Sequence, residues 1–257
     1  MSSSPSKVVW VTGASSGIGE AVALEFAKRG WLVAITARRV DALADVAARG
    51  EGGRISAFAG DVTDRERMAE IVEEIEAQLG PLSLVILNAG TYFPLSAEDF
   101  DLDRFEKNFE INVFGTAAPL APALKGMLER RSGEIMIVSS VAGYSGLPTA
   151  ATYGATKAAL INLAESLHME LKPRGVTVKV INPGFIDTPL TRKNDFPMPF
   201  LMPADKAAER VADFAGKAGF ERTFPRRFTW ILKVLRVLPY PLYFWIVGRQ
   251  TGVTKSG

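Results

Sequence analysis

Lys7-Val8-Val9-Trp10-Val11-Thr12-Gly13-Ala14-Ser15-Ser16-Gly17-Ile18-Gly19 joins a short apolar run to a glycine-rich turn. An apolar run of this length without alternation suits a strand buried on both faces of a parallel sheet. Behind it, residues 20–29 carry helical periodicity, and Gly30 stands where that helix would stop. Strand, turn and helix in this order put free backbone N–H groups and positive potential at the helix N-terminus, where an anion is stabilised. Gly13 permits the tight turn, and Gly17 and Gly19 let the backbone approach a pyrophosphate. The spacing is G-x-x-x-G-x-G rather than the commoner G-x-G-x-x-G, and its strand–helix context reads as a dinucleotide-binding unit.

The same alternation continues along the chain. Strands are predicted at 7–12, 31–37, 54–60, 82–88, 133–139, 175–182 and 221–224, and helices at 17–30, 39–49, 64–79, 101–131, 153–172 and 203–216. This order predicts an α/β doubly wound Rossmann fold, with a mostly parallel seven-stranded sheet and helices on both faces. Ligands of such sheets bind outside the carboxyl ends of the strands. The 257 residues suit one domain, 1–257, with 222–257 as a basic and apolar extension of it.

Composition narrows the chemistry. Hydrophobic residues make up 47% and charged ones 23%, as in ordinary globular proteins, and a net charge of +2 is too small to imply nucleic-acid binding by the chain as a whole. The absence of cysteine excludes disulfides, thiolate metal sites and thiol catalysis. The single histidine, His168, lies in a helical run and reads as packing; no metal site is expected. Met1–Ser6 is short and polar and reads as no signal peptide, and no segment is long and apolar enough for a transmembrane helix. A cytoplasmic location is expected, with contact at a membrane surface as the added prospect.

Tyr153 and Lys157 stand four apart in Tyr153-Gly-Ala-Thr-Lys157, thirteen residues after Ser140. On a helix they share one face, and an ammonium beside a phenol favours the phenolate. A hydroxyl brought alongside would hold a carbonyl oxygen next to that phenol. Ser139 and Ser140 are rivals for this part on chemistry alone.

Taken together, Thr12–Gly19, Asp61-Val62, Asn88-Ala89-Gly90, Asn112-Val-Phe-Gly115, Ser140 with Tyr153 and Lys157, and Asn182-Pro183-Gly184 with Thr188 resemble the short-chain dehydrogenase/reductase family, over residues 7 to about 224. The resemblance implies an oxidoreductase moving a hydride between a nicotinamide and a carbonyl or secondary alcohol. It implies Tyr153 as acid in reduction and base in oxidation, and Lys157 holding the Tyr153 pKa down while bonding the nicotinamide ribose. It selects Ser140 over Ser139 to bind the substrate oxygen, and has Asn112 hold a water beside Lys157. The cofactor set is Gly13, Ser15, Ser16, Gly17, Ile18, Gly19, Arg38, Arg39, Asp61, Val62, Asn88, Ala89, Gly90, Tyr153, Lys157, Pro183, Gly184, Ile186 and Thr188. Of these, Asp61 would meet the adenine amino group, Pro183-Gly184 the nicotinamide pocket, and Thr188 the carboxamide or phosphate. Relatives pair through the helices that here are 101–131 and 153–172, so a homodimer or homotetramer is expected.

Where an NAD enzyme commonly carries an acid, this chain has Ala37, followed by Arg38 and Arg39. A 2′-phosphate would meet no carboxylate there, and Arg38 could pair with it, with Ser15 or Ser16 as further donors. NADP(H) is the preferred cofactor and NAD(H) the alternative. The loop after Thr188, with Phe196, Met198, Phe200, Leu201 and Met202, and the residues Tyr92, Phe93, Tyr144 and Leu147 would wall a bulky hydrophobic carbonyl or alcohol.

From Arg222 onward there are seven Lys or Arg and no acid. Residues 228–238 are helical in pattern, with Arg226, Lys233 and Arg236 grouped on one side, and Pro239 and Pro241 break the run. Segment 224–247 suits either a membrane interface or packing over the substrate mouth or a partner subunit. The competing functional readings are an NAD-dependent alcohol dehydrogenase and a nucleotide-sensing protein without catalysis.

Overall fold

The computed structural model describes residues 7–193 and 197–252. Phe196 and Met1–Ser6 lie outside the described residues. In chain order the elements are β1 (Val8–Thr12), α1 (Gly17–Lys28), β2 (Leu32–Thr36), α2 (Val40–Ala48), β3 (Ile55–Ala57), α3 (Arg65–Leu79), β4 (Leu82–Leu87), α4 (Leu102–Phe109), α5 (Gly115–Arg130), β5 (Gly133–Val138) and α6 (Ala151–Leu171). There follow β6 (Val176–Pro183), β7 (Ile186–Asp187), β8 (Met202–Pro203), α7 (Ala204–Ala212), β9 (Glu221–Phe224), α8 (Arg226–Arg236) and α9 (Tyr240–Thr251). The seven-stranded sheet runs β3-β2-β1-β4-β5-β6-β9, and its pairings are parallel.

The sheet is apolar through its thickness because both faces are covered. In β1, Val8 and Trp10 enter a core built with α3, α5 and α6, whereas Val9 and Val11 enter a second core with α1, α2 and α7. Successive side chains of a strand point to opposite faces, so an unbroken run of apolar residues serves both cores. The indole of Trp10 satisfies its buried N–H on the Thr36 hydroxyl at 2.9 Å.

The strand order reverses between β1 and β4, which opens a crevice at their carboxyl ends. Thr12 closes its floor: its hydroxyl oxygen accepts from the N–H groups of Asn88 at 3.1 Å and Ala89 at 3.2 Å.

Two expectations are corrected, one is refined, and one strand pair is new. The helix predicted over 101–131 is two helices joined by a π-helical turn, Glu110–Phe114, in which the Gly115 N–H reaches the Glu110 carbonyl five residues back. The Thr116 hydroxyl takes the Asn112 carbonyl at 2.7 Å, and Pro119 brings no N–H to the ladder; both favour the widened turn. The helix predicted to reach residue 216 ends at Ala212, before Gly216 with its positive φ of 68°. The helical run is broken as expected, between Arg236 and Tyr240; Pro239 precedes α9, and Pro241 sits in its first turn, where a missing N–H has no intrahelical partner to lose. The short pair β7–β8 was not foreseen, because two residues each carry no periodic signal. Among the described residues, no helix is long and apolar enough to cross a membrane.

Candidate active site

The crevice has a volume of about 350 Å³ and runs from the glycine loop to the start of α6. At one end, Gly13 and Gly17 have positive φ of 68° and 62°. A Cβ on Gly13 would lie 2.7 Å from the Ala89 Cα, and one on Gly19 would lie 2.4 Å from the Gly13 oxygen. The loop is therefore closed by backbone against backbone, with room for no side chain. Asn88 pins it, its amide donating to the Thr12 and Gly13 carbonyls at 3.0 and 3.3 Å. Thr188 covers the loop from above, 3.2 Å from the position a Gly17 Cβ would take.

At the β2 end, Ala37, Arg38 and Arg39 line the crevice together with Ser15 and Ser16. The Arg39 guanidinium donates to both the carbonyl and the hydroxyl oxygen of Ser15 at 3.1 Å. Arg38 is largely exposed and 3.7 Å from Asp61. Asp61 in turn accepts from the Thr63 N–H and hydroxyl at 3.0 and 2.9 Å, while Asp64 caps α3 by accepting from the Arg67 N–H at 3.0 Å. Asp61 is thus free of capping duty and faces the crevice, with Val62 beside it.

At the other end, Ser140, Tyr153 and Lys157 meet. Tyr153 lies in the first turn of α6, and Lys157 one turn on, so both reach the crevice from one helix face. Gly143 lets this helix approach: a Cβ there would be 2.7 Å from the Lys157 carbonyl carbon. The Lys157 Nζ lies 5.5 Å from the Tyr153 ring centroid and donates to the Val138 carbonyl at 3.1 Å. Tyr92 packs edge-on against Tyr153, with centroids 5.2 Å apart.

Ser139 and Ser140 separate cleanly. The Ser139 hydroxyl donates to the Lys157 carbonyl at 2.7 Å and is spent on packing α6 to β5. Ser140 accepts from the Ala142 N–H at 3.1 Å and its hydroxyl also bonds the Tyr153 phenol. Asn112, in the π-helical turn, spends both amide N–H groups, on the Thr91 carbonyl and the Thr156 hydroxyl, each at 3.0 Å, and its oxygen takes the Thr91 N–H at 2.7 Å. It holds the segment after Gly90 in place. It lies behind Gly90, where a Cβ would be 3.2 Å from its oxygen and 3.5 Å from Lys157 Nζ.

The Tyr153 pKa is raised on balance, where the spacing to Lys157 predicts a lowering. Burial pushes the phenol up to about 12, against a hydrogen bond from Ser140. Burial likewise pushes the Lys157 ammonium down to about 8. Both groups are driven towards their neutral forms because each charge loses more solvation than its neighbours restore.

Pro183 and Gly184 end β6 at the crevice, and Ile186 lines it from β7. Of the expected substrate walls, Met202 instead packs into the core with α7, since it pairs with Ile186 in β7–β8. Tyr144 is buried, with its hydroxyl on the Glu221 carboxylate. Phe200 lies by Phe228 of α8, at 6.2 Å between centroids, and Phe228 stacks on Phe185 at 5.5 Å. His168 donates its Nδ1–H to the Val178 carbonyl at 2.7 Å, outside the crevice.

Thr91, Ile111 and Thr191 also line the crevice and were not foreseen. Thr191 had a signal, since Thr188-x-x-Thr191 is a spacing at which hydroxyls cap a turn; it donates to the Ile186 carbonyl at 2.5 Å. Among the described residues no cluster of acids and histidine could hold a metal.

The chain matches the family model described as short chain dehydrogenase over residues 7–197. It is 38% identical to an uncharacterized oxidoreductase of Myxococcus xanthus over 236 residues, 91% of this chain and 93% of that one. It is 33% identical to an uncharacterized oxidoreductase of Staphylococcus saprophyticus, over 74% of this chain and 82% of that one. A solved structure described as ElxO with NADP bound superposes with a TM-score of 0.76 at 29% identity, covering 85% of this chain and 96% of that one. The chain therefore belongs to the short-chain dehydrogenase/reductase family and is an oxidoreductase acting on CH–OH groups or the corresponding carbonyls.

Proposed function

We propose that the protein is an NADP(H)-dependent reductase of hydrophobic ketones or aldehydes, running in reverse as an alcohol dehydrogenase. The observation that carries this reading is the meeting of Ser140, Tyr153 and Lys157 at one end of a crevice whose other end holds two arginines and the glycine loop. The residues fit a dinucleotide: Gly13, Gly17 and Gly19 leave backbone open to a pyrophosphate, and Ala37 puts no carboxylate where a 2′-phosphate would lie. Arg38 would pair with that phosphate, and Arg39 would hold Ser15 towards it. The ElxO structure, with NADP bound, supports the same choice. When bound, the nicotinamide supplies or accepts the hydride.

The chain's own groups then handle the proton. The Ser140 hydroxyl donates to the substrate oxygen, and the Tyr153 phenol, kept protonated by burial, gives it a proton as the carbonyl becomes an alcohol. A phenol neutral at pH 7 favours reduction over oxidation. Lys157 would bond the ribose and replace the phenol's proton, and Asn112 fixes the loop that faces them. Asp61, Val62, Asn88, Ala89 and Gly90 would border the adenine side, and Pro183, Gly184, Ile186 and Thr188 the nicotinamide side. Tyr92, packed on Tyr153, and Phe185 with Phe200, grouped on Phe228, would border the substrate end with aromatic rings. Exposed Phe100, Leu102, Phe114 and Met169 on or beside α4–α6 support pairing of two copies through those helices.

The test is fluorescence titration with NADPH and NADH on wild type, Arg38→Ala and Arg39→Ala, followed by turnover of aromatic ketones with Tyr153→Phe as control. Preference for NADPH that collapses in the arginine variants, with turnover lost in Tyr153→Phe, supports the proposal. Equal binding of NADH, indifferent to both arginines, points to the NAD-dependent alcohol dehydrogenase. Binding without turnover of any carbonyl or alcohol points to a nucleotide sensor.

A further inference from the structure

The helices α8 and α9 leave an unusual surface. They turn Thr229 and Leu232, then Tyr243 and Val247, into the protein, and Tyr243 is anchored by its hydroxyl on the Gly146 carbonyl at 2.6 Å. Their outer residues are large and apolar: Trp230, Val234 and Val237 follow one stripe of α8, and Tyr240, Phe244 and Trp245 stand out from α9. Trp230 and Trp245 are each 59% exposed. A water-soluble surface of ordinary composition does not gather two tryptophans, a tyrosine and a phenylalanine at this exposure.

The charge on the same helices has one sign. Arg226, Arg227, Arg236 and Arg249 are exposed, and no Asp or Glu occurs from Arg222 to the end of the sequence. Lys233, expected on this face, is withdrawn instead to the Glu221 carboxylate. Arg249 lies over the Trp245 ring at 5.7 Å, so aromatic and cation are interleaved.

We propose that the α8–α9 surface docks the protein on an anionic lipid bilayer, as a peripheral contact rather than a span. Tryptophan and tyrosine settle at the headgroup level, where an apolar ring and a polar edge are both satisfied. The four arginines meet lipid phosphates and carboxylates, for which α8 and α9 hold no acids of their own to compete. The same one-sidedness disfavours a second copy of the chain. A two-fold contact sets a patch against itself, which here brings arginines against arginines with no carboxylate to pair them.

The position gives the docking a use. Phe228, in the first turn of α8, lies 2.9 Å from where a Gly184 Cβ would stand, and Gly184 borders the crevice. The docked face therefore begins at the substrate rim, and a lipid-soluble ketone could pass from the bilayer into the crevice. Docking does not depend on the hydride-transfer reading; only this delivery of substrate rests on it.

The test is flotation of the full chain with vesicles of phosphatidylcholine, alone and mixed with phosphatidylglycerol, followed also by tryptophan emission. Wild type is expected to float with the anionic vesicles, to be released by salt, and to shift its emission to the blue. Substituting Arg226→Gln, Arg227→Gln, Arg236→Gln and Arg249→Gln should weaken binding about fivefold for each charge removed. Trp230→Ser with Trp245→Ser should abolish the blue shift and the flotation. Failure of wild type to float with anionic vesicles overturns the proposal, as does equal binding to phosphatidylcholine alone or binding unchanged in both variants. A wild-type oligomer that dissociates in the double serine variant would assign the face to a second copy and overturn it too. NADPH titration of every variant reports folding and cofactor binding separately, so vesicle binding without NADPH binding would sink the reductase reading and leave this one standing.

Discussion

The Ser139 hydroxyl donates to the main-chain carbonyl of Lys157 at 2.7 Å, and this bond decides which of two adjacent serines faces the phenol. Extended backbone sends neighbouring side chains to opposite sides. With Ser139 drawn to α6, Ser140 is left at the crevice beside Tyr153. Ser140→Ala is expected to lower kcat/KM for ketone reduction by ~10²–10³ with little change in stability. Ser139→Ala should keep most activity and lower stability by ~1 kcal/mol, since only a packing hydrogen bond is lost. Steady-state kinetics and urea unfolding of the two variants separate these outcomes, and the reverse pattern would exchange the two roles.

Much of this was legible before the fold was known. The parallel, doubly wound sheet needed only the alternation of apolar runs and helical periods, because β1, β2, β4, β5 and β6 are buried on both faces and have little freedom to be anything else. The glycine loop was legible because Gly13 and Gly19 face backbone atoms that tolerate no Cβ. Three features were hidden, each for a tertiary reason. The π-helical turn at Glu110–Phe114 rests on one hydroxyl bond and a proline five residues further on. Lys233 has the helical spacing of a surface cation and is claimed by Glu221, which lies twelve residues earlier on a strand. The neutral leaning of Tyr153 and Lys157 comes from burial, which an i, i+4 spacing cannot report.

Lys157 is expected to be a stability liability at neutral pH. Its folded pKa is depressed to about 8 from 10.5, so the unfolded chain holds more protons between those values and stability rises with pH across that window. The favourable contribution is complete above the unfolded value and is lost as pH falls through the folded one. Lys157→Met removes the buried charge at the loss of one bond to the Val138 carbonyl. It should stabilise the protein by ~2 kcal/mol at pH 7 and abolish turnover, with the gain fading towards pH 10. Thermal unfolding of both proteins at several pH values checks this; a destabilised variant at pH 7 would mean that Lys157 is paired better than its burial implies.

The two directions of the reaction should diverge with pH. Tyr153, pushed up to about 12, stays protonated through the working range and is ready to donate. Reduction should therefore be nearly flat up to about pH 8 and fall above it as Lys157 loses its proton. Alcohol oxidation needs the phenolate and should climb with pH by up to ~10-fold per unit. Initial rates in both directions across this range give the answer, and a reductive rate that climbs from neutral to alkaline pH would contradict the assigned acid.

Gly19 should tolerate no side chain. A Cβ there would lie 2.4 Å from the Gly13 oxygen and 2.5 Å from the Asn88 amide nitrogen, and neither can retreat without opening the glycine loop. Gly19→Ala is expected to cost ~1–3 kcal/mol and to weaken dinucleotide binding severely. Gly30 is the contrast. A Cβ there meets nothing, but φ is 84°, so Gly30→Ala should cost ~1 kcal/mol and leave dinucleotide binding alone. Calorimetry and cofactor titration on the pair distinguish a closed loop from a merely strained one.

Glu221 gathers three donors at the edge of the sheet: the Tyr144 hydroxyl, the Asn182 amide at 2.7 Å, and the Lys233 ammonium from α8. Burial opposes its ionisation, but bonds from Lys233, Tyr144 and Asn182 outweigh that and hold the carboxyl below its usual range. The pair is only partly enclosed, with Lys233 about a third exposed, so solvent screening keeps its worth modest. Lys233→Met leaves the carboxylate without its cation and should cost ~1–2 kcal/mol. Adding Glu221→Gln to that variant should restore part of the loss, because the unpaired charge goes with it, giving a coupling of ~1 kcal/mol in a double-mutant cycle. With a depressed pKa, the Glu221 contribution is present above the unfolded value of 4.5 and is lost as pH falls through the lower folded value. The difference between wild type and Glu221→Gln should therefore shrink at acid pH, and a cycle that closes to zero at pH 7 would mean that α8 is held by Phe228 and Thr229 packing rather than by this latch.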